Sequence, residues 1–169
     1  MSAGLDISIF PVTAKAVWPI FAPHHYLTGK YAGHRAWIAV LGDDTPVAFT
    51  SIIAAPSGHF KRGWREHRTV VLPDFQGLGI GARLGDWVGD YVCRIHTEGE
   101  GRYFSRTMHP RLGAYREASP LWKPTSSNKK ANTGVAAGRM GLGVDGRASF
   151  SHEYIGHRAT IVLDTPIPS

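Results

Sequence analysis

The segment Gln76-Gly77-Leu78-Gly79-Ile80-Gly81 carries the clearest chemical signal in this sequence. Glycines 77, 79 and 81 remove Cβ atoms, so successive backbone N–H groups can approach an anion closely. The residues that follow have a helical pattern. Those N–H groups therefore lie in the first turn of a helix, without an intrahelical partner and at the positive end of the dipole. A diphosphate is a natural occupant of such a turn. The spacing argues against two other nucleotide loops. A P-loop needs a Lys-Ser/Thr pair, where this chain has Ala82-Arg83 after Gly81. A dinucleotide fingerprint needs Gly-x-Gly-x-x-Gly, where this loop reads Gly-x-Gly-x-Gly.

The elements that must position this loop are legible on either side of it. Thr69 to Leu72 is a buried-strand candidate closed by Pro73. From Gly79 onward Ile80, Leu84, Trp87, Val88, Tyr91 and Val92 recur at three- and four-residue spacing, which predicts an amphipathic helix to about Ile95. Upstream, Ala36 to Leu41 and Pro46 to Ala55 flank the turn signal Gly42-Asp43-Asp44 and predict an antiparallel hairpin. A short helix is expected over Ala14 to Ala22, interrupted by Pro19 and stopped by Pro23. Ser57 to Trp64 reads as a loop. Downstream, Tyr103 to Ser105 reads as a strand and Arg111 to Ala118 as a helix entered through Pro110. Lys123 to Gly146 reads as a long loop, and Ala148 to Ile155 and Ala159 to Leu163 as closing strands. This order predicts an α/β fold with a mixed central sheet, in one domain spanning residues 1–169.

Composition sets outer bounds. With 169 residues and 43% apolar side chains the chain can bury a sizeable core. One cysteine, Cys93, excludes an intramolecular disulfide and a cysteine-based zinc cluster. Met1 to Asp6 lacks the pattern of a signal peptide, and no run approaches the roughly 20 apolar residues of a membrane span. A cytoplasmic protein with no membrane partner is expected, as a monomer or homodimer. His152-Glu153-Tyr154-Ile155-Gly156-His157 is one residue too long for a zincin helix, so no metal is expected. Gly141 to Gly146 fits Gly-x-Gly-x-x-Gly literally but has no strand before it, and reads as loop. Between Arg102 and Arg147 nine Lys/Arg face only Glu117 and Asp145, a local net of +7 in a chain of formal charge +6. Such a concentration suggests a face for an anionic partner, nucleic acid included.

Pro73-x-x-Gln76-Gly77-x-Gly79-x-Gly81 behind an apolar strand resembles the Q/R-x-x-G-x-G/A motif of the GNAT superfamily of acyl-CoA N-acyltransferases. The resemblance spans about residues 10–122. It implies a mostly antiparallel sheet flanked by helices, with acetyl-CoA or another acyl-CoA as co-substrate. The N–H groups around Gln76, Gly77, Leu78, Gly79, Ile80, Gly81 and Ala82 would hold the pyrophosphate. The backbones of Val70, Val71 and Leu72 would bond the pantetheine arm. This strand would splay from the one near Tyr103 to Ser105, and the amine would attack the thioester directly in the opening. Glu66 and His67 are the candidates for a base, and strand alternation would place one of them on the cleft side. Tyr115 stands about where the family places an acid for the leaving thiol. The usual Asn-x-x-Ala…Tyr and Gly-Phe ending are absent here.

The same resemblance places the region after the first helix beside the acceptor pocket, which singles out His25 and Tyr26. His24-His25-Tyr26-Leu27-Thr28-Gly29-Lys30 also resembles the His-Tyr-x-Gly-Lys-type stretch of Mom-type phage DNA-modification proteins, a divergent GNAT branch, with one extra residue before Gly29. With the basic segment, this points to a nucleic-acid base or nucleotide as one acceptor class. A small-molecule or protein amine is another, and a non-catalytic CoA- or nucleic-acid-binding module is a reading of a different kind.

Overall fold

The computed structural model describes residues 6–26, 31–131 and 148–158. Among them one sheet runs in the order β1-β2-β3-β4-β5-β8-β6. Its strands are β1 (Ile7–Val12), β2 (Arg35–Leu41), β3 (Pro46–Ala54), β4 (Gly63–Val71), β5 (Arg102–Thr107), β6 (Trp122–Pro124) and β8 (Ala148–Tyr154), and the short β7 (Lys130–Ala131) pairs with β8. All neighbours are antiparallel except β4 and β5. Helix α1 (Ala14–Phe21) covers one face; α2 (Ile80–Tyr91) and α3 (Pro110–Ala118) belong to the other.

The hairpin, the long helix, the β5 strand and the second helix lie where periodicity put them. β2 and β3 are near-continuous apolar runs because both their faces are covered. The α1 face packs Phe21, Ile38, Phe49 and Val70 together, and the α2 face packs Val47, Ala48, Ile80 and Leu84. Helix α1 contains Pro19 and ends at Phe21, followed by a 3₁₀ turn over Ala22–His24. No described helix is long and apolar enough to cross a membrane.

Three expectations need correction. β4 is not confined to Thr69 to Leu72: it starts at Gly63, inside the expected loop, and its polar residues Arg65, Glu66 and His67 hid it from an apolar-run criterion. Leu72 lies past the strand end, before a 3₁₀ turn over Pro73–Phe75. The expected loop from Lys123 begins instead with β6 and β7, which pair on β8. The edge strand β1, with alternating exposure, was not anticipated at all. Residues 132–147, with the Gly141 to Gly146 motif, and the strand expected over Ala159 to Leu163 lie outside the described residues.

Two irregularities in β4 shape the site. Ser51 pairs with Arg68 and Ile52 with Glu66, so His67 is an extra residue, a β-bulge. β4 then pairs with β5 only from Gly63↔Arg102 to Arg65↔Phe104. Beyond that point β5 turns to β8, through Phe104↔Glu153 to Thr107↔Phe150, and the two parallel strands part. Glu66 is the first residue of β4 beyond the fork.

Candidate active site

The cleft opened by this fork has a volume of about 790 Å³ and runs from the glycine loop to the residues after α1. It is lined by Glu66, His67, Thr69, Val70 and Val71 from β4, by Gln76, Gly77, Gly79, Ile80, Gly81 and Ala82 from the loop, and by Tyr115 from α3. His24, His25 and Tyr26 line its other end. Leu72 and Leu78 stand apart from this lining; Leu78 is 52% exposed.

At the loop, Gly77 and Gly79 have φ of +84° and +77°. A Cβ built on either meets nothing within 4 Å, so the demand for glycine comes from the left-handed backbone and not from crowding. Gly79 is the N-cap of α2 and no side chain caps the helix. Among the described residues nothing accepts from the N–H groups of Ile80, Gly81 and Ala82, because the first bond of the helix is Arg83 N to Gly79 O at 3.1 Å. The Gln76 side chain turns back and donates to Val71 O at 3.0 Å, tying the loop to the strand end. Three free N–H groups at a dipole's positive end, beside a cleft, fit a diphosphate.

The strand's backbone is divided by its ladder. Leu72 N donates to Val47 O at 2.9 Å, so the period of two turns the amide groups of Val70 toward β3 and those of Thr69 and Val71 toward the cleft. An arm lying along β4 would therefore meet Val71 and Thr69 through their backbones, while Leu72 has its N–H committed to β3.

At the fork, Glu66 Oε2 accepts from Arg116 Nη2 at 2.7 Å and from Ser105 Oγ at 2.8 Å. Arg116 also donates to Ser105. Arg116 is 1% exposed and its guanidinium stacks over Trp122 at 4.5 Å. Gly85 of α2 makes room for it, since a Cβ there would come within 3.0 Å of Nη2. Burial alone would raise the Glu66 pKa, but the Arg116 charge and the Ser105 bond outweigh it and hold the carboxyl below its usual range. Glu66 is thus an ionised, anchored carboxylate.

The bulge changes the expected choice between the two candidate bases. Strict alternation would turn one of them away; with an extra residue in β4, both Glu66 and His67 line the cleft. His67 Nε2 accepts from Ala32 N at 3.0 Å, which leaves the ring proton on Nδ1. Burial, then the charges of Arg68 and Arg65, pull its pKa down to about 4, so the imidazole is neutral in the physiological range.

On the opposite wall, Tyr115 Oη donates to Asp86 Oδ2 at 2.5 Å, and Trp122 Nε1 donates to Asp86 Oδ1 at 2.7 Å. Partial burial and then the Asp86 bond raise the Tyr115 pKa, which keeps the phenol protonated. At the end of the cleft beyond α1, His25 stacks on Tyr26 at 4.8 Å and meets the edge of Trp18 at 5.8 Å. Residues Leu27 to Lys30 lie outside the described residues.

The basic segment proves more neutralised than its sequence suggests. Of its seven described cations, Arg102 pairs with Glu153, Arg116 with Glu66 and Lys129 with Glu117. Two of those carboxylates lie outside the segment, which is why a local charge count overstated it. Arg106 and Arg111 line the cleft beside His109, and Arg106 Nε donates to Ser149 Oγ at 2.7 Å. Arg116, Ser105 and Asp86 were not anticipated from the sequence. The one available signal was an arginine three residues after Gly113, the other buried position of α3.

No protein-family model matches the sequence, and no curated protein matches it. Solved structures do. An IAA acetyltransferase from Bacillus cereus superposes with a TM-score of 0.61 at 12% identity, covering 88% of this chain and 99% of that one. A ribosomal-protein alanine N-acetyltransferase from Escherichia coli gives 0.55 at 13%, covering 88% and 92%. A variant of the spermidine N-acetyltransferase from Vibrio cholerae gives 0.64 at 10%, covering 90% and 95%. At such identities the likeness is one of fold. The mixed, mostly antiparallel sheet flanked by helices is the fold of GNAT N-acetyltransferases.

Proposed function

We propose that this chain is an N-acyltransferase that moves an acyl group, acetyl in the simplest case, from acyl-CoA to an amine. The observation that carries the reading is the fork between β4 and β5 opening beside a left-handed glycine loop whose helix N–H groups have no acceptor. Fold alone does not decide function. The added weight comes from the polar groups gathered in the cleft. Acetyl-CoA would supply the activated acyl group as a thioester.

The residues divide the work. Ile80, Gly81 and Ala82 hold the diphosphate through their N–H groups, and Thr69 and Val71 present backbone groups along the cleft. Glu66, ionised and fixed at the fork, receives the proton of the attacking amine through water. His67 presents Nδ1–H as a donor beside it. Tyr115 turns its hydroxyl from Asp86 to the departing sulfur and gives up its proton as the bond from nitrogen to the acyl carbon replaces the bond to sulfur. Asp86 positions Tyr115, and Arg116 positions Glu66. His25 and Tyr26 border the acceptor.

Release of free thiol from acetyl-CoA, measured over a panel of amines, tests the reading. Amine-dependent release that falls in Glu66→Gln and Tyr115→Phe supports it; release from no amine in the panel counts against turnover and favours a binding module. A nucleic-acid acceptor is a second reading, favoured by Arg106 and Arg111, which line the cleft without a carboxylate partner among the described residues. It requires duplex binding that weakens steeply with salt.

A further inference from the structure

Between the cleft-lining residues His67 and Thr69 of β4, and behind that lining, stands a cation that takes no part in the proposed catalysis. Arg68 lies two residues beyond Glu66, opposite Ser51 of β3, on the face that Val70 shares with α1. It is 9% exposed, yet no carboxylate pairs with it among the described residues. Nη1 donates back to the His67 carbonyl at 3.2 Å, and Nε is buried without a partner. Two more polar groups nearby are buried: the Tyr31 and Ser51 hydroxyls lie beside each other, and neither has a partner outside that pair among the described residues. His67, Thr69 and Tyr26, which line the cleft, surround this position in chain or in space.

A buried guanidinium without a counter-charge is costly unless a ligand supplies one. Its planar fork suits carboxylate and phosphate oxygens, and hydroxyls beside it add donors. Glu66, which does line this part of the cleft, is already matched by Arg116. The local field therefore favours an anion. We propose that Arg68, with the Tyr31 and Ser51 hydroxyls, forms a subsite for an oxyanion carried by the acceptor, so that the amine acylated here bears a carboxylate or a phosphate group. The subsite rests on the acyltransferase reading above. It also serves the chemistry, because a fixed cation nearby lowers the pKa of an ammonium and favours the neutral amine.

Calorimetry tests this with two matched pairs of probes: 3-aminopropyl phosphate against 3-aminopropanol, and 4-aminobutyrate against 4-aminobutyramide. The protein is first titrated with CoA. Failure at that step overturns the acyltransferase reading itself; success isolates the subsite. On CoA-saturated protein one charged probe is expected to bind at least about ten-fold tighter than its neutral partner. The pair that shows the preference assigns phosphate or carboxylate as its source. Arg68→Gln removes the preference with CoA affinity unchanged, and Arg68→Lys keeps part of it. Tyr31→Phe and Ser51→Ala each reduce it a few-fold, and they carry the test if Arg68→Gln does not fold. Equal affinities within both pairs, no binding of any probe, or a preference that survives Arg68→Gln overturns the subsite.

Discussion

Arg116 reaches from α3 to place Nη2 2.7 Å from Glu66 Oε2, at the point where β4 and β5 separate. Both groups are buried, at 1% and 9% side-chain exposure. Ser105, on β5, bonds to both. The pair therefore joins the two walls of the fork to the helix that carries Tyr115, one residue before Arg116. It fixes the width of the opening as well as the charge state of the carboxylate.

Removing one partner of such a pair leaves an uncompensated buried charge. Arg116→Met is expected to destabilise by roughly 3–5 kcal/mol. Glu66→Gln, which keeps an acceptor oxygen, costs less. Because the groups act together, the double variant loses less than the sum of the single ones. Urea unfolding of the four proteins measures the coupling, and additive losses would show that the two residues act independently.

The same pair sets an acid sensitivity. The folded Glu66 pKa lies below its unfolded value of about 4.3, so between the two the unfolded chain binds more protons and stability rises with pH. The contribution is complete above the unfolded value and is lost as pH falls through the folded one. Stability measured from pH 6 downward should drop less steeply in Glu66→Gln than in the wild type. Parallel curves would mean that Glu66 is not held ionised.

His67 gives an independent check on the fork. Burial and Arg68 place its pKa at about 4, and Ala32 N–H fixes the Nδ1–H tautomer. In nitrogen-detected NMR the ring should remain neutral down to that pH, and Arg68→Gln should move the midpoint upward. A midpoint near the ordinary histidine value of about 6.5 would contradict the arrangement.

Tyr115 is expected to act on the leaving group. Tyr115→Phe removes the proton but keeps the ring, and lowers kcat by about 10²-fold or more with little change in acetyl-CoA affinity. Asp86→Asn, which changes what holds the hydroxyl, has a smaller effect on kcat and shifts the alkaline limb of the pH profile. An unchanged kcat in Tyr115→Phe assigns the proton to another source.

Local patterns carried the loop, the helix behind it and the hairpin before it, because periodicity and turn residues are short-range signals. Glu66, His67 and Tyr115 were visible as residues but not as a geometry. The bulge at His67 is a register property of two strands, and no pattern in β4 alone announces it. Arg116 resembled one cation among nine until the fold brought Glu66, 50 residues away, against it. The basic segment was misjudged for the same reason: Glu66 and Glu153 neutralise it from outside. β1 and the first half of β4 escaped notice because their residues alternate or are polar, and pairing rather than apolarity defines them.

Calorimetric titration with acetyl-CoA tests the glycine loop as an anion site most directly. The wild type should bind with an affinity that weakens with added pyrophosphate. Gly79→Glu should abolish binding, because the left-handed backbone at φ +77° disfavours any side chain and a carboxylate would stand before the free N–H groups of α2. Gly81→Ala, whose Cβ would meet only Val71 Cγ2 at 3.2 Å, should lose far less. Absence of binding to the wild type, or equal affinity in wild type and Gly79→Glu, would contradict the account.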